Sequence, residues 1–326
     1  MSSKTAIVLL QLGGPDSLDA VEPFLYNLFC DPDIINFPGS FLFRKWLART
    51  ISRKRAPKVQ ELYNSIGGRS PILPQTEKQA EALKKSLTAS GVDVDVHIAM
   101  RYWHPFTEEM IKKLLANGTE EVILLPLYPH FSRATTGSAV NEWNRVVKRM
   151  NAAHLRTILV KDYFNHPLYI DALVERVQQA IEKVKEESRD KIQLVFSAHG
   201  TPMKLVRKGD PYSHQIRETY ELVVKKGNFG LPHLLCFQSK VGPQKWLEPS
   251  LVKTVEDLAH KKVSHIIVNP IAFVSDHIET LSEINIEARD EAIKMGVQYF
   301  AMTDALLTSE KFIGCLTDLV LKELKK

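Results

Sequence analysis

Cysteine is scarce: Cys30, Cys236 and Cys315 are the three in 326 residues, far apart and without a Cys-x-x-Cys pair. Such an odd, dispersed set excludes a disulfide framework and any thiolate zinc or iron–sulfur site built from local spacing, so a reducing compartment is expected. Long apolar runs are also lacking. No stretch approaches the roughly 18–20 residues a spanning helix needs. The start, Met-Ser-Ser-Lys-Thr-Ala-Ile-Val, runs into strand-like sequence without a signal-peptide apolar region. Neither membrane spanning nor secretion is expected. The two glycine pairs, Gly13-Gly14 and Gly67-Gly68, match neither G-x-G-x-x-G nor G-x-x-x-x-G-K-[ST], which disfavours a nucleotide phosphate loop. Gly67-Gly68 reads as a tight turn. Gly13-Gly14, directly after an apolar run, suits a turn or a close backbone approach to a ligand equally well.

Acidic residues are missing in one place. Between Ile34 and Gln60 there are none, against seven cations: Arg44, Lys45, Arg49, Arg53, Lys54, Arg55 and Lys58. The whole chain carries 43 basic and 38 acidic residues, net +5; without those seven the balance is 36 to 38, or −2. The positive charge is therefore local, which suits attraction of an anion or anionic surface at one site. Ile34, Ile35, Phe37, Phe41, Leu42, Phe43, Trp46 and Leu47 interleave with the cations. A membrane-surface or partner-binding lip, a wall over a large flat apolar ligand, and an ordinary amphipathic helix all fit this pattern. A nucleic-acid patch fits least, because no nucleic-acid motif accompanies it and the rest of the chain is slightly acidic.

With 44% hydrophobic and 25% charged residues the composition is that of a globular protein, and 326 residues suit two α/β domains. Short runs rich in β-branched residues alternate with helical-period segments, the signature of β-α units around parallel sheets. Strands are expected at about 5–12, 94–102, 121–128, 156–163, 192–198, 233–238, 264–273 and 297–303. The expected fold class is α/β: two similar Rossmann-like domains, each a four-stranded parallel sheet flanked by helices. The first domain is expected over 1–153, including the segment at about 34–58, and the second over 154–305. A C-terminal helix over 306–326 would pack back on the first domain.

Ligands of open α/β sheets bind beyond the carboxyl ends of the strands, and polar and aromatic groups collect there. His199 follows an apolar strand and precedes Gly200, which places it at such a rim, although a lone histidine there also serves as a structural hydrogen-bonding residue. Asp276-His277-Ile278-Glu279 follows another strand, and Glu279, Glu283 and Glu287 recur every four residues along one helical face. Like charges at that spacing oppose the helix by about 0.2–0.5 kcal/mol per pair. The row is either a solvated acidic face or, if it lines a cleft, a set of coupled proton acceptors. His199 and Glu279 together suit a borderline divalent ion such as Fe(II), held loosely because two protein ligands are too few for a structural site.

Several motifs in order along the chain resemble one family. They are Leu12-Gly13-Gly14-Pro15, Arg101-Tyr102-Trp103-His104-Pro105, Tyr128-Pro129 through Thr135-Thr136-Gly137-Ser138, and Ser197-Ala198-His199-Gly200-Thr201-Pro202-Met203 with Gly209-Asp210-Pro211-Tyr212. Gln238-Ser239-Lys240-Val241-Gly242-Pro243 with Trp246-Leu247, and Pro270-Ile271-Ala272-Phe273 with Ser275-Asp276-His277-Ile278-Glu279-Thr280-Leu281, complete the set. Together they resemble ferrochelatase. The resemblance implies a chelatase-like fold that inserts ferrous iron into protoporphyrin IX to give protohaem with release of two protons. It assigns His199 and Glu279 as the catalytic, metal-contacting pair, and the acid row itself suggests Glu283 and Glu287 for proton relay. Leu12, Arg55, Tyr63, Ser70, Trp246, Phe273 and Asp276 are assigned to substrate binding, and the segment at 34–58 to an active-site lip.

The resemblance further implies no tightly bound cofactor, with Fe(II) as a substrate. Arg133 stands where cluster-bearing relatives have a cysteine, and the tail Leu324-Lys325-Lys326 has no cysteine group, so no [2Fe–2S] cluster is expected. Leu12 stands where the coproporphyrin-using branch has tyrosine and the mitochondrial enzymes methionine, which favours protoporphyrin. A coproporphyrin ferrochelatase, a cobalt or nickel chelatase, and a non-catalytic porphyrin- or haem-binding protein are the alternatives. Porphyrin and ferrous iron are the expected partners, with no nucleic acid, a monomer or weak homodimer, and a cytoplasmic location with peripheral contact to the inner face of the cytoplasmic membrane through the lip.

Overall fold

Near-continuous runs of Ile, Val and Leu form the inner strands of two parallel sheets, as expected where helices cover both faces. The computed structural model describes residues 4–34, 40–240 and 244–325. Ile35 and Phe37 of the lip, the side chains of Phe41 and Leu42, and Val241-Gly242-Pro243 lie outside the described residues. The chain divides into two compact units, Met1–Asp162 with Ile313–Lys326, and Tyr163–Phe312.

The first unit runs β1 (Thr5–Gln11), α1 (Val21–Phe29), α2 (Ser40–Ser65), α3 (Ile72–Ala89), β2 (Asp95–Met100), α4 (Thr107–Ala116), β3 (Glu121–Pro126), a π turn (Arg133–Gly137), α5 (Ser138–Arg149) and β4 (Arg156–Leu159). Its sheet has the order β2-β1-β3-β4, all parallel. Val8, Leu10, Val122 and Leu124 pack with Ile111, Leu114, Trp143 and Val146 in its core, each aliphatic contributing about 1.5–3 kcal/mol on full burial. The long α2 keeps small residues, Ala48, Ser52 and Ala56, on its buried side, a four-residue spacing that lets it lie close against α1. Gln60 Nε2 donates to the Leu18 carbonyl at 2.9 Å. In the C-terminal helix (Glu310–Leu324), Thr317 Oγ1 donates to Ser86 Oγ of α3 at 2.8 Å, returning that segment to the first unit.

The second unit runs α6 (Pro167–Glu182), β5 (Ile192–His199), α7 (Met203–Arg207), α8 (Tyr212–Gly227), β6 (His233–Gln238), α9 (Leu251–His260), β7 (His265–Pro270), a π-helix (Glu279–Ala288), α10 (Arg289–Lys294) and β8 (Tyr299–Met302). Its sheet has the order β6-β5-β7-β8, again all parallel. Val195, Ile266 and Val268 pack with Val255, Leu258 and Ile284 in the core. Ile284 belongs to the π-helix and anchors that element to the sheet.

The two units repeat one plan. Leu10 of β1 lies opposite Pro126, the last residue of β3, and Ser197 of β5 lies opposite Pro270, the last residue of β7. The next peptide closes in the same way in both: Leu127 N–H donates to the Leu10 carbonyl and Ile271 N–H to the Ser197 carbonyl, each at 2.9 Å. At the neighbouring strand, Met100 N–H donates to the Pro105 carbonyl and Phe237 N–H to the Pro249 carbonyl. A π segment follows the third strand in each unit.

The structure corrects one boundary and one helix type. β4 pairs with β3 in parallel register from Glu121↔Arg156 to Leu124↔Leu159, so the chain leaves the first unit after Asp162 rather than at the expected 153. The acid row was expected on an α-helix. It lies instead on a π-helix, whose wider turn is frequent at functional sites.

Candidate active site

In the first unit, Leu12 and Gly13 leave β1 at the carboxyl rim. Gly13 has φ +82°, a conformation that residues with side chains rarely adopt, and a Cβ there would sit a tight 3.1 Å from Trp103 N. A Cβ on Gly14 would meet Ser70 Oγ at 2.4 Å. Ser70 and Tyr63 are buried, at 5% and 2% exposure. Ser70 N–H donates to the Pro15 carbonyl at 2.8 Å, tying the end of the α2–α3 connection to the β1 exit. Arg55 is exposed on α2, its guanidinium 5.7 Å from the centre of the Phe29 ring, a separation at which a cation is held by the ring face. Gly67 and Gly68 have φ of +102° and +80° with open space around them, as the turn reading requires.

In the second unit, β5 delivers His199 and the start of the π-helix after β7 delivers Glu279. The two meet: His199 Nδ1 lies 2.9 Å from Glu279 Oε2. Both are partly buried, with side-chain exposures of 36% and 26%. Burial alone would lower the imidazole's proton affinity, but the adjacent Glu279 charge and hydrogen bond override it, and the His199 pKa is raised. The same pairing, with a second contact from His277 Nε2 at 3.4 Å, holds the Glu279 carboxyl well below its usual range against the opposing effect of burial. With Nδ1–H on the carboxylate, a neutral His199 keeps its other ring nitrogen as a base, and loss of the Nδ1 proton would leave Nδ1 and the carboxylate as adjacent donors.

Glu283 lies one turn further along the π-helix. Burial, and then the negative charge of Glu279, push its carboxyl up to about 7, while Ser239 Oγ donates to its Oε2 at 2.6 Å. Ser239 adopts φ +64°, uncommon for a residue with a side chain. Glu287 is exposed and accepts from Ser282 Oγ at 3.0 Å. The three acids therefore run from a half-buried end to solvent.

Around this pair, Trp246 lies against the β5 exit: a Cβ on Gly200 would meet Trp246 Cε3 at 3.4 Å, and Trp246 bridges Pro202. Phe273 and His277 tilt together with ring centres 4.7 Å apart. Asp276 accepts from Thr280 Oγ1 at 3.2 Å, and burial raises its carboxyl pKa. Two residues quoted only as parts of motifs take distinct places here. Gln238 hydrogen-bonds both Ser197 and the Glu279 carbonyl, and Tyr212 is a buried phenol whose pKa is raised by burial and by the Glu279 charge. Nothing in residue type or spacing marked either; their role lies in long-range contacts. Among the described residues no group of three or more His, Cys, Asp or Glu side chains is gathered to hold a metal.

SirB from Bacillus subtilis, solved with Fe3+, superposes on this chain with a TM-score of 0.57 over 98% of this chain and 95% of its own, at 12% identity. This is the fold of the chelatases. The ferrochelatase family model matches residues 4–324. The ferrochelatase of Citrifermentans bemidjiense is 47% identical over 98% of this chain and 98% of its own length. That of Aquifex aeolicus is 44% identical over 98% and 99%. The chain belongs to the ferrochelatase family.

Proposed function

We propose that this protein inserts Fe(II) into protoporphyrin IX to form protohaem, with His199 and Glu279 contacting the metal and Glu283 and Glu287 carrying protons away. The observation that supports this reading best is the 2.9 Å contact between His199 Nδ1 and Glu279 Oε2 at the β5 rim. Metallation replaces two pyrrole protons with one dication, so the site needs a base, a loose metal seat and a proton exit. The proton held between imidazole and carboxylate marks where a cation is stabilised. Bonds of about 2.1 Å to nitrogen and oxygen at a tetrahedral angle separate those atoms by about 3.4 Å, so the pair accepts an ion after opening by about half an ångström. Two ligands hold it weakly enough to release it to a macrocycle with four nitrogens. Glu283, with its carboxyl near 7, exchanges protons readily at neutral pH.

Leu12 favours protoporphyrin over coproporphyrin in this reading, and Arg55 supplies a cation for a propionate. Trp246, Phe273 and Asp276 contribute the pocket wall. On α2, Phe43 and Trp46 are 62% and 68% exposed beside the exposed Lys45 and Arg49, a combination that favours peripheral contact with an anionic membrane surface. No helix among the described residues is long and apolar enough to cross a membrane.

A steady-state metallation assay with Fe(II), comparing protoporphyrin IX with coproporphyrin III, tests the proposal. Many turnovers with a preference for protoporphyrin are expected. Binding without turnover would leave a porphyrin carrier, and a preference for coproporphyrin would overturn the substrate assignment.

A further inference from the structure

One buried residue touches both halves of the metal pair. Gln238 ends β6 at 4% exposure. Its side-chain Oε1 accepts from Ser197 Oγ at 2.8 Å, two residues before His199 on the same face of β5. Its main-chain carbonyl accepts from Gly200 N–H at 2.8 Å, one residue after His199. The approach is so close that a Cβ on Gly200 would lie 2.8 Å from that oxygen. Its side-chain Nε2 then donates to the main-chain carbonyl of Glu279 at 3.3 Å. His199 is thus bracketed by Gln238 on both sides along the strand, and the same amide reaches the first residue of the π-helix.

The first unit repeats the device with different chemistry. Ala198 pairs with Phe237 in β5–β6 as Gln11 pairs with Met100 in β1–β2, so Arg101 occupies the place of Gln238. Arg101 Nε donates to Ser138 Oγ at 2.8 Å, immediately after the π turn Arg133–Gly137. In both units, therefore, the residue leaving the second strand bonds to one end of the π segment that follows the third, the residue just after it in the first unit and its first residue in the second. Only in the second unit does that tie end on a carboxylate-bearing residue facing an imidazole.

We propose that Gln238 is a positioning residue for metal insertion, setting the separation of His199 and Glu279 by holding the main chain beside each. The inference rests on the reading that this pair takes the iron. Gln238 needs no contact with metal or porphyrin. Its amide keeps the Glu279 peptide from drifting as the π-helix breathes, and an error of about 1 Å at a reacting centre costs about a hundredfold in rate.

The test compares Gln238→Glu, Gln238→Met, Ser197→Ala and His199→Ala in the full-length protein, with steady-state kinetics in both substrates and Co(II) titration of the porphyrin-free protein. Gln238→Glu keeps an acceptor for Ser197 but loses the donor to Glu279; Gln238→Met loses both. For each, kcat is expected to fall by about tenfold, the loss that one hydrogen bond of ordinary strength supports. Co(II) affinity should weaken several-fold while the porphyrin KM stays within about twofold. Ser197→Ala, which removes a single hydroxyl and decides the matter if the Gln238 variants fail to fold, should weaken Co(II) binding in the same direction by a smaller factor. Wild-type kcat and Co(II) affinity in the folded Gln238 variants, or in Ser197→Ala where those do not fold, would overturn the proposal if His199→Ala is inactive. Turnover in His199→Ala would instead overturn the reading beneath it. A lowered melting temperature with both KM values and Co(II) affinity unchanged would show a purely structural role and also reject the proposal.

Discussion

Leu12 stands in the first unit where His199 stands in the second. The register that sets Leu10 opposite Pro126 and Ser197 opposite Pro270 carries two residues further to these side chains. It also aligns Gly13-Gly14-Pro15 with Gly200-Thr201-Pro202. One plan thus presents an inert apolar group in one unit and a titratable imidazole in the other.

Removing that imidazole should, on the proposed function, separate binding from chemistry. His199→Ala is expected to lose at least about a hundredfold in kcat, because both a metal ligand and a proton acceptor disappear, while porphyrin fluorescence still reports binding. Turnover at the wild-type rate would refute the assignment.

Changing Leu12 addresses the choice of porphyrin. Leu12→Tyr places a hydroxyl-bearing ring at the β1 exit and should lower the ratio of kcat/KM for protoporphyrin IX over coproporphyrin III by about tenfold, within the range that single pocket contacts discriminate. An unchanged ratio would move the source of selectivity elsewhere.

Glu283 makes a prediction in pH. Its carboxyl is pushed up to about 7, by burial first and by Glu279 second. An acid whose folded pKa exceeds its unfolded value favours the folded state while protonated, so its unfavourable effect develops as pH rises from about 4.5 to 7. Glu283→Gln, which keeps an acceptor for Ser239, should therefore match the wild type below pH 4.5 and exceed it by roughly 1–3 kcal/mol at pH 8, measured by urea unfolding. The same variant should lose more in kcat than in porphyrin affinity and should lack a rise in kcat through pH 7. Equal, small effects on kcat and affinity would mark a merely solvated acid.

The outer face of α2 predicts lipid contact. Trp46→Ala with Phe43→Ala should reduce binding to vesicles rich in anionic lipid several-fold, and the remaining binding should weaken further as salt rises. Equal sedimentation of wild type and variant with such vesicles would reject a membrane role for these side chains.

The strands were legible because buried parallel strands need unbroken runs of branched apolar residues, and Ile7 to Leu10 and Ile266 to Val268 are such runs. The pairing of β4 was not, since Arg156-Thr157-Ile158-Leu159 is a short edge strand whose allegiance depends on β3 rather than on its own pattern. His199 and Glu279 were legible as motif residues at strand exits. The π form of Glu279–Ala288 was not, because acids four apart suit either helix. The likeness of the two domains is expected from their strand counts, but the residue-by-residue equivalence is not legible: what survives of it in sequence is little more than a glycine and a proline, 13 and 15 against 200 and 202. Gln238 hydrogen-bonds residues 41 positions away on either side, a relationship that no local spacing encodes.

The outward end of the acid row matters for what limits the enzyme under load. If hydrogen ions drain through Glu287 into bulk water, their departure does not wait for the pigment to dissociate. Buffer composition and product build-up then become independent brakes on the reaction.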